Sequence, residues 1–408
     1  MSDGSAPLAG VRLAVAVTAS RSADFYAGQL AALVAAGAEV WFLSSPSPEV
    51  EAQCAAEGAT FVPIAIERAP APWSDARALL AVGREVGRIR PDLVVAGTPK
   101  MGLVAMLAAA ARRVPVRVHT LHGLRYETAT GALRAALWAA QRASCAAATH
   151  VVCVGPSLRA RARETHLLRP TEGLVIGDGS VNGIDVRRYR ADATTVAAGQ
   201  AMRARLGIAP TTTVVGYLGR LARDKGIGDL RRAWQLARGG DRHLLIGGTI
   251  DETDCPERAD MAALDADPTV SLLGHVDDAV SFLAAIDVLV LPTWREGFPT
   301  VPLEAAAMAI PVVATTATGC VDAIDDGVTG TLVPVRDARV LAAATERYLR
   351  DPDLRAAHGA AGATRVRNLF SRERVHEATI ETFRALLNRS STTRNVRARI
   401  RRSSQSER

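Results

Sequence analysis

Hydrophobic positions along this chain follow two alternating periods. Short continuous apolar runs, such as 11–17 (VRLAVAV), 92–96 (DLVVA) and 150–154 (HVVCV), predict strands buried on both faces. Further runs at 39–45, 59–64 and 115–120 belong to the same set. Between them the spacing turns helical. Leu30, Leu33 and Val34 share a face that ends at Gly37, and Leu79, Leu80, Val82, Val86 and Ile89 mark a helix that Pro91 stops. Helices are also predicted at 51–58, 101–112, 131–146 and 157–165. The pattern resumes with strands at 213–218, 243–246, 270–273, 288–292, 311–315 and 330–333. Helices lie between these strands and at 338–349, and two closing helices occupy 352–387. Strand and helix in short alternation predict an α/β chain built on doubly wound parallel sheets.

The alternation breaks at 174–190, where Gly177, Gly179, Asn182, Gly183 and Asp185 mark irregular backbone. With 408 residues to place, two domains are expected. We divide the chain into a first domain over 1–190, a second over 191–371, a closing helix over 372–388 and a basic, disordered tail over 389–408. In doubly wound halves, ligands gather where strands end. Two loops follow strands at that end, 219–226 and 293–301.

Their residues differ in chemistry. Gly219-Arg220-Leu-Ala-Arg223-Asp-Lys225-Gly226 offers cations to a diphosphate, a fork of donors from arginine and a point charge from lysine. It lacks the spacing of a Walker A loop. Glu296-Gly297-Phe298-Pro299-Thr300-Val-Pro-Leu-Glu304 offers two carboxylates eight residues apart, one on the loop and one in the first helical turn. Carboxylates accept hydrogen bonds from vicinal sugar hydroxyls. A structural role for Glu304, complementing the helix dipole, leaves Glu296 unexplained. His122, in HTLHG, stands at the end of a strand, whereas His119 inside that strand reads as core. Asp265-Ala-Asp267 matches a short metal-binding pattern, but it sits at a surface turn before Pro268 and carries little weight. Gly319-Cys320-Val-Asp322 reads equally as a donor contact and as a plain turn.

Composition narrows the partners. A net charge of +7 and a pI near 9.6 permit nucleic acid, anionic lipid or a phosphorylated substrate. Aromatics at 4% argue against base-stacking platforms, so no nucleic acid is expected. Five scattered cysteines without a CxxC form neither a disulfide framework nor a zinc site, and suit a reducing cytoplasm. The N-terminus lacks the basic start of a signal peptide. The Arg-rich tail and the 131–146 segment, with Arg134 and Arg142, suit peripheral contact with an anionic membrane surface.

Taken together, the motifs YLGRLARDKG, LLGHVDD, DVLVLPTWREGFPTVPLEAAAMAIPVVAT and GVTGTLVP make the second half resemble family 4 of the retaining glycosyltransferases, of GT-B fold. Glu296 and Glu304 match that family's E-x7-E signature. TPKMGLVAMLAAA, HTLHGLRYET, VVCVGPSLR and GDGSVNGID resemble its bacterial capsule and exopolysaccharide branch. The resemblance spans about 11–387. It implies two Rossmann-like domains facing across a cleft, an acceptor domain first and a nucleotide-sugar domain second, with the last helix crossing back. It implies that Arg220 and Lys225 hold the donor diphosphate beside Gly219. Glu304 would bond the ribose, Glu296 the donor hexose with the amides of Gly297 to Thr300, and His122 would lie at the reacting sugar. The reacting centre would thus comprise His122, Glu296, Arg220 and Lys225, with no metal and no cofactor. The donor expected is a UDP-sugar and the acceptor a polyprenyl-linked glycan precursor. A soluble natural-product acceptor, or a non-catalytic sugar-nucleotide-binding protein, are the alternatives. Two departures stand out. The first loop, TASRSAD, lacks paired glycines, for which Ser20 and Ser22 would substitute, and GCVD replaces GGxPE at 319–322.

Overall fold

The structure, a computed structural model, describes residues 6–18, 22–67, 71–237 and 240–406, from 391 the backbone alone. Ser20 lies outside the described residues. Two compact units emerge. The first comprises 1–154, 158–177 and 373–408, and the second 155–157 and 178–372.

In the first unit six parallel strands form one sheet: β1 (Arg12–Ala16), β2 (Glu39–Ser44), β3 (Thr60–Pro63), β4 (Leu93–Ala96), β5 (Val116–Leu121) and β6 (His150–Cys153), in the order β3-β2-β1-β4-β5-β6. The strands of the second unit are β7 (Thr213–Leu218), β8 (Arg242–Gly247), β9 (Val270–Leu272), β10 (Val288–Leu291), β11 (Val312–Thr315) and β12 (Gly330–Val333), in the order β12-β11-β10-β7-β8-β9. Both sheets run out from their first strand and then reverse, which is the doubly wound arrangement the alternation predicts. Burial on both faces explains the continuous apolar runs: every residue of β4 (LVVA) and β10 (VLVL) is buried.

Six helices follow in the first unit's part of the chain: α1 (Gln29–Ala35), α2 (Pro48–Ala56), α3 (Pro72–Ile89), α4 (Pro99–Ala111), α5 (Gly131–Ala147) and α6 (Pro156–Glu164). The second unit carries α7 (Ala193–Arg205), α8 (Ile227–Leu236), α9 (Arg258–Asp265), α10 (Ala279–Ala284), α11 (Thr300–Ala307), α12 (Cys320–Ala323), α13 (Ala338–Arg350) and α14 (Pro352–Arg365), and α15 (Arg372–Ser406) closes the chain. Side chains fix several starts. Proline opens α2, α3, α4 and α14, where its missing N–H costs nothing. Asp192 and Thr195 cap α7 reciprocally.

The first sheet has a core on each face. One joins Ala14, Ala16, Val94 and Ala96 to α3 and α4. The other joins Leu13, Val15 and Leu93 to α1, α2 and α15, which contributes Phe383 and Leu386 with Ile380 and Leu387 against them. The closing helix therefore completes the first unit from the far end of the sequence.

Two boundaries differ from expectation. The division falls between Gly177 and Asp178, ahead of 190/191, because 178–190 is bonded by backbone to the second unit. The Ile184 N–H donates to Phe370 O at 2.8 Å and the Arg372 N–H to Ile184 O at 2.9 Å. The tail expected to be disordered from 389 continues α15 as helical backbone to Ser406. Neither Gly nor Pro occurs after Gly362, and arginine, which dominates this stretch, is a good helix former.

Phe383→Ala should cost about 3–5 kcal/mol, because it empties a site 4% exposed at the α15 seam. Calorimetry should show one unfolding transition lowered; a superimposable thermogram would contradict this packing. His119 gives a second test. Its fully buried ring contacts Ala96 O through Nδ1 at 3.0 Å, and burial pushes its pKa down to about 4. The unfolded ring protonates near 6.5 and the folded one only near 4, so stability should fall as pH drops through that window, by about 3 kcal/mol. His119→Gln should remove its share of that slope, reducing it without abolishing it, in denaturant titrations at pH 7 and pH 4.5.

Candidate functional site

In the second unit the strand order reverses between β7 and β10, so the loops leaving their C-terminal ends are neighbours. Their backbones interlock. The Trp294 N–H donates to Asp224 O at 2.9 Å, and the Thr293 hydroxyl reaches the same carbonyl at 3.3 Å. Gly226 has φ +74°, and a Cβ there would lie 2.0 Å from Pro292 O, so glycine is required on both counts. This approach brings the Lys225 ammonium onto Glu296 Oε1, with both side chains less than one-fifth exposed. Glu296 is fixed from behind, its N–H donating to Thr318 O at 3.1 Å.

The other cations are also held by carboxylates. Arg220 follows Gly219 at the end of β7 and donates through Nη1 to Asp251, while its carbonyl accepts from the buried Tyr217 hydroxyl at 2.7 Å. The Arg220 side chain remains 42% exposed. Hydrogen bonds from Thr253, with the Arg220 charge, hold the Asp251 carboxyl below its usual range. Arg223 pairs with Asp254 at 3.3 Å, and Arg295 donates to buried Asp224 at 2.7 Å. The loop is thus a lattice of alternating charges with a positive outer edge.

Glu304 lies in α11. Burial pushes its carboxyl up, and the Tyr189 hydroxyl donates to it. Phe298 is buried against Phe370, with ring centroids 5.5 Å apart, so its ring is core and the loop offers a ligand only its backbone there. Gly297 O approaches Gly319 so closely that a Cβ on Gly319, with φ +83°, would meet it at 2.4 Å. Pro299 caps α11 and Thr300 begins it, leaving the first amides of that helix at the loop. Asp322 is already engaged, accepting from the Ser157 hydroxyl at 2.6 Å and from the Ser157 N–H at 3.0 Å. Cys320 is fully buried.

In the first unit the reversal between β1 and β4 joins Thr18 to Thr98, their hydroxyls 2.8 Å apart. His122 follows β5. Its ring stacks on Phe25 at 5.4 Å and presses on Gly97, where a Cβ would lie 2.4 Å from Nε2. Nδ1 is buried without a hydrogen-bond partner. Desolvation, with the neighbouring His119, pushes the His122 pKa down to about 4, so the ring is neutral at pH 7.

The structure therefore brings Gly219, Arg220, Lys225, Glu296, Gly297 and Thr300 together at one strand-order reversal, with Glu304 in the helix that follows. Asp267 is not part of it; its carboxylate accepts from Thr269 N at 2.9 Å and Oγ1 at 2.7 Å, a local turn. The sequence reading passes over Tyr189, Asp251 and Asp254. Only the position of Asp251 and Asp254 just after β8, at the same end of the sheet, could have flagged them.

Comparison with known proteins identifies the family. Residues 212–351 match the model "Glycosyl transferases group 1", and residues 24–179 match "Glycosyl transferase 4-like domain". The chain is 31% identical over 376 residues to the capsular polysaccharide biosynthesis glycosyltransferase CapM of Staphylococcus aureus, covering 92% of this chain and 97% of that one. Among solved structures, sucrose-phosphate synthase from Thermosynechococcus elongatus superposes with a TM-score of 0.76 at 22% identity, covering 93% of this chain and 99% of that one. HepE of Anabaena, in complex with UDP, superposes at 0.74 and 19% identity, covering 92% and 100%. These two share the fold. With both halves matched and CapM aligned over nearly its whole length, this chain belongs to family 4 of the glycosyltransferases, on the GT-B fold.

Proposed function

We propose that the chain transfers a hexose or N-acetylhexosamine from a UDP-sugar to a polyprenyl-linked glycan precursor, with retention of anomeric configuration, in the assembly of a capsular or related polysaccharide. The observation that carries this reading is the Lys225–Glu296 pair at the β7/β10 reversal, beside Arg220 and ahead of Glu304. The likeness to CapM supports the polysaccharide assignment, and the UDP bound to HepE supports the choice of base.

The chemistry follows from charge. The bond from C1 to the diphosphate oxygen breaks, and the acceptor oxygen bonds C1 on the same face. The acceptor's proton passes to the departing phosphate. The leaving diphosphate gains negative charge, and fixed cations lower the barrier by stabilising it. Arg220 and Lys225 take that role without a divalent metal. When the diphosphate takes Lys225, Glu296 is released to accept from the donor hexose hydroxyls. Glu304, oriented by Tyr189, accepts from the ribose. His122, neutral and with Nδ1 unpartnered, is assigned to the transferred sugar. No cofactor takes part.

Titration calorimetry with UDP, GDP and ADP in chelator tests the donor half. UDP should bind most tightly. Lys225→Ala should weaken it at least tenfold and reduce turnover by about 10²–10³. Equal binding by the variant, or a strict need for Mn²⁺, would sink the diphosphate assignment. Glu304→Gln should cost about 1.5–3 kcal/mol of UDP affinity, the usual size of a hydrogen bond to a charged group. The same variant should bind 2′,3′-dideoxy-UDP as the parent does; an equal loss on both ligands would remove Glu304 from the ribose.

A further inference from the structure

The three most exposed large hydrophobic side chains described in the chain lie on one layer of the first unit. They are Trp73 (85%), Leu80 (71%) and Leu133 (61%), and Leu107 (41%) joins them. Trp73 and Leu80 are in α3, Leu107 in α4 and Leu133 in α5, and these helices pack side by side. The Arg112 guanidinium at the end of α4 rests on Gly87 of α3, and the Lys100 ammonium of α4 reaches Asp75 of α3 at 2.5 Å.

Along α3 the outward positions read Trp73, Arg77, Leu80, Arg84, at helical spacing, and all four are exposed. The inward positions Ala78, Val82, Val86 and Ile89 fill the core. A surface helix ordinarily keeps charged and polar residues opposite its core face, and it is the grouping of large apolar residues on adjacent helices that stands out here. Helix α5 repeats the anomaly: it has no acidic residue, and Leu133, Arg134 and a run of alanines face outward. Charge selects the occupant. The three helices carry six cations, three in α3, one in α4 and two in α5. Their acids are Asp75 and Glu85 alone, and both are neutralised, by Lys100 and by Arg88 at 2.7 Å. Tryptophan and leucine between arginines suit the interface of an anionic bilayer, where apolar tips enter the acyl boundary and guanidinium groups meet phosphates.

We propose that the outer face of α3, α4 and α5 is a membrane-docking surface for anionic phospholipid, with Trp73 and Leu80 as its inserting residues. This surface is separate from the basic C-terminal stretch and independent of donor chemistry.

The test is co-sedimentation of the full chain with vesicles of phosphatidylcholine alone or with one-third phosphatidylglycerol, without donor or acceptor. The parent should bind the anionic vesicles and release in high salt. Trp73→Ser/Leu80→Ser should weaken binding about tenfold, and Arg77→Glu/Arg84→Glu by a similar factor. Because all four side chains are exposed, melting temperatures should match the parent. Brominated lipid should quench parent fluorescence, and Trp73→Phe should remove that quenching. Unchanged vesicle binding by the Trp73/Leu80 variant would overturn the proposal and leave the C-terminal stretch as the tether. Concentration-dependent dimers abolished by that variant, without vesicle binding, would overturn it in favour of a second copy. Failure of UDP to bind would leave the vesicle result standing.

Discussion

Backbone contact between the loops leaving β7 and β10 is the constraint on which the second unit's chemistry depends. Asp224 O accepts from the Trp294 N–H, and Gly226 lies where no Cβ fits beside Pro292 O. Without that approach Lys225 and Glu296 would sit on separate loops. With it, opposite charges share a mostly desolvated pocket in which each would be costly alone. A ligand that brings its own anion and its own hydroxyls can exchange with both partners at once. On the proposed reading, the site is pre-assembled by charges that the donor would redistribute.

The same logic extends outward. Arg220 is held by Asp251, Arg223 by Asp254 and Arg295 by Asp224. Each carboxylate lies at the strand-end side of the sheet and limits the rotamers of the cation it holds. Preorganised donors need no reorganisation as charge develops. The first unit uses a different device: His122 is fixed by shape, between Phe25 and Gly97, with a nitrogen left unpartnered.

Much of this was legible because parallel strands buried on both faces write continuous apolar runs, and β1 to β12 are found where such runs lie. Arg220, Lys225, Glu296 and Glu304 were legible because their types and their loops carry the chemistry. The pairing of Lys225 with Glu296 was not, since two cations and two acids can pair in several ways until the loops are brought together. Tyr189 was invisible for a related reason. It belongs to an irregular stretch whose allegiance is decided by backbone bonds to 370–372, nearly two hundred positions away.

The seam at Phe383 and Leu386 has a consequence for biosynthesis. A ribosome delivers Leu30 and Leu33 early, yet Phe383 and Leu386, which complete the same core, arrive only after the entire second unit has been made. The second unit is nearly continuous in sequence and can close as it emerges. The first must wait with part of one sheet face, the part that α15 packs against, uncovered. The nascent protein therefore completes its halves in reverse order, and that exposed face is where a chaperone would have most reason to bind.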